Sequence, residues 1–333
     1  MESVLNSRST AVGAGASKSL SDSPLRLRVA AIKQIAHEVS SFDLQSPDDI
    51  DLPTWSPGAY VNLLLPFGLV RSYSLVPSSS SRSYRIAVQM ERAGRGGSRW
   101  LHENAQVGQE LDVSPPLNHF PLSEGLHASV FIAGGIGITP LWSMIHRLER
   151  LNRDWTLVYR ARNRCRAAYL DQLALYGDRV AVSFSDDAST PRPNLQALVA
   201  VAQPSTHFYC CGPQALLNSF EEACAGIPPD QVHCECFGVK PVGLSSPCRL
   251  VLARSGLEVE VSAGESLLTA VRKAGIDVPT SCEQGVCGAC EIRILNGKAD
   301  HKDKILTLAE RDAQTSMMLC CSGALTPELE LEL

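Results

Sequence analysis

Apolar and polar positions alternate along the first third of the chain. Leu25-Arg-Leu27-Arg-Val29 and Tyr84-Arg-Ile86-Ala-Val88-Gln-Met90 carry apolar side chains at every second residue, the period of a half-buried strand. Further short strands are predicted at 38–44, 59–65, 71–76 and 110–114, with Pro, Ser, Asp and Gly clusters between them. Such spacing predicts an antiparallel β-barrel or sandwich over residues 24–123. The pattern then changes. A continuous apolar run at 128–133 precedes a glycine loop and an amphipathic helix at about 139–151. Strands at 156–161, 180–185, 206–210 and 231–236 alternate with helices at 167–176, 193–202 and 213–225. That order predicts an α/β parallel-sheet domain over 124–236, covered on both faces. Residues 237–247 contain Gly and Pro and read as a linker. Over 248–333 come a hairpin-like pair at 248–253 and 257–261, a helix at 264–273, a strand at 291–295 and a last alternation of Leu329, Leu331 and Leu333. This is an α+β pattern. Residues 1–23, rich in Ser, Ala and Gly, read as a flexible tail.

Bulk numbers agree with a multidomain protein. A chain of 333 residues with 44% hydrophobic residues can build two or three cores. A net charge of −5 gives no electrostatic reason to expect nucleic acid as a partner. No apolar run reaches the 18 residues of a membrane helix, and the N-terminus has no signal-peptide core.

The cysteines change the picture most. Cys282, Cys287 and Cys290 are spaced C-x4-C-x2-C, and Cys320 follows after 29 residues. This is the plant-type ligand spacing of a [2Fe–2S] cluster. Zinc sites usually use paired C-x2–4-C units instead. Gly285 and Gly288 permit the backbone angles that turn three sulfurs inward. Cys321 adjoins Cys320, so spacing alone leaves the fourth ligand open between them. The other cysteines form no regular disulfide framework, and thiols kept reduced beside a cluster imply a cytoplasmic setting.

Other stretches suit nucleotide chemistry. Arg71-Ser72-Tyr73-Ser74 sets a cation and a flat aromatic on one strand face and two hydroxyls on the other. Gly94-Arg95-Gly96-Gly97-Ser98 opens a helix with free backbone N–H groups, and Ser98 is a candidate N-cap. Gly134-Gly135-Ile136-Gly137-Ile138-Thr139-Pro140 lies between strand and helix, as a dinucleotide-binding turn must, with Pro140 replacing the third glycine. Cys211 and Gly212 end a strand, where open α/β sheets bind ligands, and are candidates to line a nicotinamide site. Arg160-Ala-Arg162-Asn-Arg164 follows the second α/β strand and suits either a 2′-phosphate or a solvated basic loop.

In order, RSYSL, GRGGS, GGIGITP, CCGPQAL, HCECFG and CEQGVCGAC…C resemble the phthalate dioxygenase reductase family over about residues 25–333. The resemblance implies a β-barrel flavin domain, an NAD domain and a β-grasp plant-type ferredoxin domain in one chain. It implies FMN held by Arg71, Ser72, Tyr73 and Ser74, with Gly96, Gly97 and Ser98 near its phosphate. Gly135, Gly137, Thr139 and Cys211 would line the NADH path, and Phe237, in the position of the aromatic that closes the barrel–NAD interface, would pack on the flavin. It makes Cys320 the fourth ligand. Family members reduce Rieske-type oxygenases acting on aromatic acids or, in some cases, quaternary amines, so an oxygenase component is the expected partner of a monomeric reductase. Electron counting agrees. NADH releases a hydride, a [2Fe–2S] cluster accepts single electrons, and a flavin handles both. A stand-alone reductase for another soluble acceptor shares every one of these motifs.

Overall fold

The computed structural model describes residues 24–333 apart from 95, 191, 238–242, 281, 282, 284, 286, 287 and 304. The tail expected at 1–23, the ligands Cys282 and Cys287, and the middle of the expected linker lie outside the described residues.

Strands β1 (Leu25–Ala36), β2 (Val39–Gln45), β3 (Tyr60–Leu65), β4 (Leu69–Val76), β5 (Ser83–Gln89) and β6 (Glu110–Val113) close an antiparallel barrel in the order β1-β2-β5-β4-β3-β6. The sequence alternation explains its wall. Leu27 and Val29 are buried with Phe42, Leu63 and Leu75, while Arg26 and Arg28 face outward to pair with Glu110 and Asp112. One seam is incomplete. β4 is paired with β3 throughout, but it meets β5 only at Leu75 and Val76. Earlier residues on that edge of β4 have no strand beside them among the described residues. Helix α1 (Gly97–Asn104) starts next to this opening.

Five parallel strands follow: β7 (Ser129–Gly134), β8 (Trp155–Ala161), β9 (Val180–Phe184), β10 (His207–Gly212) and β11 (Val232–Cys236), ordered β11-β10-β7-β8-β9. Chain direction across the sheet reverses at β7, which makes the gap between β7 and β10 the topological switch point. Helices α2 (Ile138–Leu151) and α3 (Leu170–Ala174) share one core with Phe131, Leu157 and Tyr209. Helices α4 (Leu195–Ala200) and α5 (Gln214–Ala223) cover the other face through Leu195, Leu217 and Phe220. α3 is shorter than the helix expected at 167–176. Tyr169 takes a left-handed φ of 64° and stacks on Trp142 with ring centroids 5.2 Å apart, so packing rather than helix propensity sets where α3 begins.

α2 seats the barrel on the sheet. Its residues from Ile138 to Ile145 are all buried, although an amphipathic helix would leave one side wet. The second side packs on the barrel residues Val39, Val76 and Ala87. The N–H of Gly58 donates to Ser143 Oγ at 3.0 Å across this contact. The β1–β2 turn adds a clamp: the His37 N–H donates to the Cys165 carbonyl at 2.7 Å, and Glu38 bridges Arg92 and Arg166.

The last unit contains β12 (Cys248–Leu252), β13 (Leu257–Val261), α6 (Leu267–Lys273), β14 (Glu291–Asn296), the short pair β15 (Ala299–Asp300) and β17 (Gly323–Ala324), α7 (Leu308–Ala313), β16 (Ser316–Met318) and β18 (Glu328–Leu331). Its main sheet runs β13-β12-β18-β14-β16. β12 and the final strand β18 lie parallel at its centre, and α6 packs across them, the β-grasp arrangement. Ser266 caps α6 by accepting from the Thr269 N–H, and Thr307 with Glu310 forms a capping box on α7. Among the described residues no helix is long and apolar enough to cross a membrane.

Candidate redox site

The open edge of β4 carries the residues expected to hold a flavin. Arg71 and Tyr73 share a face with Leu75, and Tyr73 packs on the barrel core. Burial pushes the Tyr73 phenol well above its ordinary pKa, so it stays a neutral donor. On the other face, Ser72 Oγ donates to Asn62 Oδ1 at 2.7 Å. Ser74 Oγ is buried and has no hydrogen-bond partner among the described residues. A buried hydroxyl left unpaired costs free energy, and a ligand group at this edge would satisfy it.

The glycine loop is built around the same strand. Gly96 takes a left-handed φ of 87° and caps α1, which begins at Gly97. Ser98 is therefore not the N-cap expected from sequence. It lies inside the first turn, and its Oγ accepts from the Glu91 N–H at 3.0 Å. The reason is steric: glycine alone enters a left-handed turn freely. A Cβ on Gly97 would stand 2.4 Å from Arg71 Cγ, so RSYS and GRGGS form one cradle.

A cleft of about 830 Å³ opens past the C-terminal ends of β7, β8 and β10. It is lined by Gly134, Gly135, Gly137 and Gly212, with Gln89 from the barrel and Phe237 past β11. Its position at the switch point is where open α/β sheets bind ligands. Backbone packs on backbone here. A Cβ on Gly137 would fall 2.2 Å from the Cys211 carbonyl oxygen, and one on Gly212 would fall 2.9 Å from Gly134 Cα. Thr139 is buried, and its Oγ1 donates to the Ile136 carbonyl at 2.9 Å, pinning the turn.

The Cys211 side chain does not line the cleft. Its thiol is fully buried in the barrel-facing core with Ala133 and Tyr209, and burial raises its pKa well above the ordinary thiol value. Only its backbone approaches the glycine turn. Cys210 points into the opposite core.

In the last unit, Gly285 and Gly288 take left-handed φ values of 70° and 76°. Cys290 and Cys320 are both buried, and the Cys320 thiol, raised in pKa, has the Cys290 and Cys321 thiols and the Gly285 backbone as its neighbours. The Cys321 sulfur turns to the Met318 carbonyl at 3.7 Å. A Cβ on Gly285 would lie 2.5 Å from that sulfur.

Comparison with known proteins places these sites in context. The 2Fe-2S iron-sulfur cluster binding domain family matches residues 250–325. Phenoxybenzoate dioxygenase subunit beta from Ectopseudomonas oleovorans is 49% identical over 312 residues, covering 93% of this chain and 98% of that protein. Phthalate dioxygenase reductase from Burkholderia cepacia is 36% identical over 318 residues, covering 94% and 98%. This chain belongs to the phthalate dioxygenase reductase family. The solved structure of phthalate dioxygenase reductase, described as modular for electron transfer from pyridine nucleotides to [2Fe–2S], matches with a TM-score of 0.73 at 35% identity, covering 93% of this chain and 98% of that one. As a phthalate dioxygenase reductase-type protein, the chain is an oxidoreductase and a reductase component of an oxygenase system.

Two features of this reductase escape motif reading. Asn62 is not part of any signature, yet it holds Ser72 across the β3–β4 ladder. Glu235 stands beside Cys211 in the β10–β11 register. Burial pushes its carboxyl up to about 8, and its Oε2 is enclosed without a partner among the described residues. One signal was available: Glu235 is the only acid within the strand Val232–Cys236, between Cys234 and Cys236.

Proposed function

We propose that this protein takes electrons from NADH, passes them through FMN at the β4 edge to a [2Fe–2S] cluster, and delivers them to a Rieske-type oxygenase component acting on an aromatic acid. One observation carries the reading. The Gly134–Gly137 turn and Phe237 line one cleft with Gln89 of the barrel, and α2, which follows that turn, packs on Val76 at the end of β4. Bound flavin supplies the conversion between a hydride and single electrons. The protein's own contribution is placement.

Arg71, Ser72, Tyr73 and Ser74 hold the flavin, with Ser74 offering its unpaired hydroxyl. Gly96, Gly97 and Ser98 bring α1's N–H groups toward its phosphate. Gly135, Gly137 and Gly212 let the dinucleotide approach backbone, and Thr139 keeps that turn rigid. Cys211 backs the nicotinamide position from the core, and Phe237 covers the cleft mouth. Cys282, Cys287, Cys290 and Cys320 ligate the iron. The contact between Cys290 and Cys320 supports Cys320 over Cys321 as the fourth ligand. The ten described cysteines are all free thiols, which supports a reducing, cytoplasmic setting, and the protein acts there as a monomer. The names of the relatives, a phenoxybenzoate dioxygenase subunit and a phthalate dioxygenase reductase, support an aromatic-acid system.

The test is an anaerobic titration with NADH followed by visible spectroscopy. Flavin and iron–sulfur absorbance bleaching in sequence is the expected result. Flavin bleaching in a protein of verified iron content, with the cluster left oxidised, would overturn the proposed path.

A further inference from the structure

The cleft has a strongly cationic wall on its β8 and β9 side, formed by Arg160, Arg162 and Arg192 with Ser185. Arg160 is the penultimate residue of β8, Arg162 follows that strand, and Arg192 precedes α4. All lie at or beyond the C-terminal ends of β8 and β9, to one side of the switch between β7 and β10. A dinucleotide with its pyrophosphate at the Gly135–Gly137 turn reaches this wall with its adenosine half.

An acid normally stands here when the adenosine ribose carries a free 2′-hydroxyl. Its oxygens accept from that hydroxyl, and its charge repels a phosphate. This chain has no Asp or Glu from 155 to 170. Two acids follow β9: the Asp186 N–H donates to the Arg162 carbonyl at 3.1 Å, and the Asp187 carboxylate accepts from Ser189, but among the described residues neither carboxylate pairs with these arginines. Among the described residues, Arg160, Arg162 and Arg192 form no ion pair. Neighbouring arginines do: Arg166 with Glu38, Arg147 with Glu124, Arg179 with Glu149. The two acids that line the cleft, Glu91 and Glu222, come from the barrel and from α5.

Arg160 is half-buried, and among the described residues its side chain makes a single hydrogen bond, from Nε to Ser185 Oγ at 3.4 Å. Burial and the nearby Arg192 charge both disfavour its charged form. Cations held close without an anion between them raise the energy of the site, and an anion bound there relieves it. The loop is also held in shape. Asn163 Oδ1 accepts from the Arg166 N–H at 3.2 Å, and the barrel's His37 N–H holds the Cys165 carbonyl.

We infer that Arg160, Arg162 and Arg192 form a 2′-phosphate site, so that the protein uses NADPH as well as NADH. This rests on the dinucleotide reading of the cleft proposed above. The test compares 2′,5′-ADP with 5′-AMP, which differ by that one phosphate, in calorimetric titrations of the holoenzyme. Steady-state rates with NADPH and NADH accompany them. 2′,5′-ADP should bind at least about tenfold tighter at low salt, since two or more charge-assisted contacts are gained. Raising the salt should shrink the advantage. The double variant R162A/R192A, altered at two exposed positions, should lose most of it, and its NADPH-to-NADH ratio of kcat/KM should fall by a similar factor.

Equal binding of the two nucleotides by a wild-type protein that NADH still reduces would overturn the 2′-phosphate site and leave the dinucleotide reading intact. Retention of the preference in R162A/R192A would overturn it as well. If neither nucleotide binds and NADH does not reduce the holoenzyme, the dinucleotide reading falls and this site falls with it.

Discussion

Gly137→Ala sets two effects of opposite sign against each other. Gly137 has a φ of −60°, which any residue adopts. Replacing a glycine at such a position restricts the unfolded chain, and by itself stabilises by about 0.4–1 kcal/mol. The folded state opposes it. The new Cβ would lie 2.2 Å from the Cys211 carbonyl oxygen, 2.5 Å from its carbon and 2.9 Å from the Gly212 nitrogen. Relaxed contacts between heavy atoms need about 3.5 Å, so the turn must retreat from β10 by about 1 Å. Every offending atom is main chain, and Gly134 already touches Gly212 on the same seam. Overpacking of this kind costs roughly 1–3 kcal/mol, more than the entropic gain. A displacement of about 1 Å at a cofactor-positioning turn also costs up to about a hundredfold in rate. The variant should therefore show a lower denaturant midpoint by the fluorescence of Trp142 and Trp155, which share this core. Its rate of reduction by NADH should fall about tenfold or more, by the same positioning argument, while flavin and cluster absorbance persist. A variant at least as stable as wild type, with unchanged NADH kinetics, would show that the turn yields without cost and refute the steric reasoning.

Ser74→Ala removes a buried hydroxyl that lacks a partner, so the flavin-free protein should be no less stable, or more stable by about 1 kcal/mol, while FMN affinity measured by fluorescence quenching weakens several-fold. Glu235 carries a pKa raised to about 8, above its unfolded value, so its burial penalises folding increasingly as pH climbs from the ordinary carboxylate range through about 8. Glu235→Gln should accordingly match wild type in denaturant titrations near pH 4 and exceed it at pH 9, and equal stability at both would contradict a buried, proton-holding carboxyl. Cys320→Ser should abolish the visible iron–sulfur spectrum, whereas Cys321→Ser should keep it. The reverse pattern would reassign the fourth ligand.

Sequence periodicity was enough to recognise the three units. A two-residue alternation requires a half-buried sheet, and a strand–helix alternation requires a parallel one, because each pattern has to bury its own apolar face. The cysteine spacing identified the cluster for a similar reason: four thiolates on one small inorganic core tolerate few loop lengths. Where one segment must fit against another, local pattern carries no information. Nothing in GRGGS reveals that Gly97 is glycine because Arg71 passes over it, or that Gly137 makes room for the end of β10. Propensity misplaced the cap at Ser98, because the turn needs the left-handed backbone that Gly96 supplies. It also overextended α3, where stacking of Tyr169 on Trp142 sets the start. Periodicity gave α2 one dry face, yet the barrel buries the other. Glu235 and the arginine wall of the cleft acquire their energetics only from what surrounds them. Burial, missing counter-charges and close backbone approach are properties of segments brought together, and folding alone brings them together.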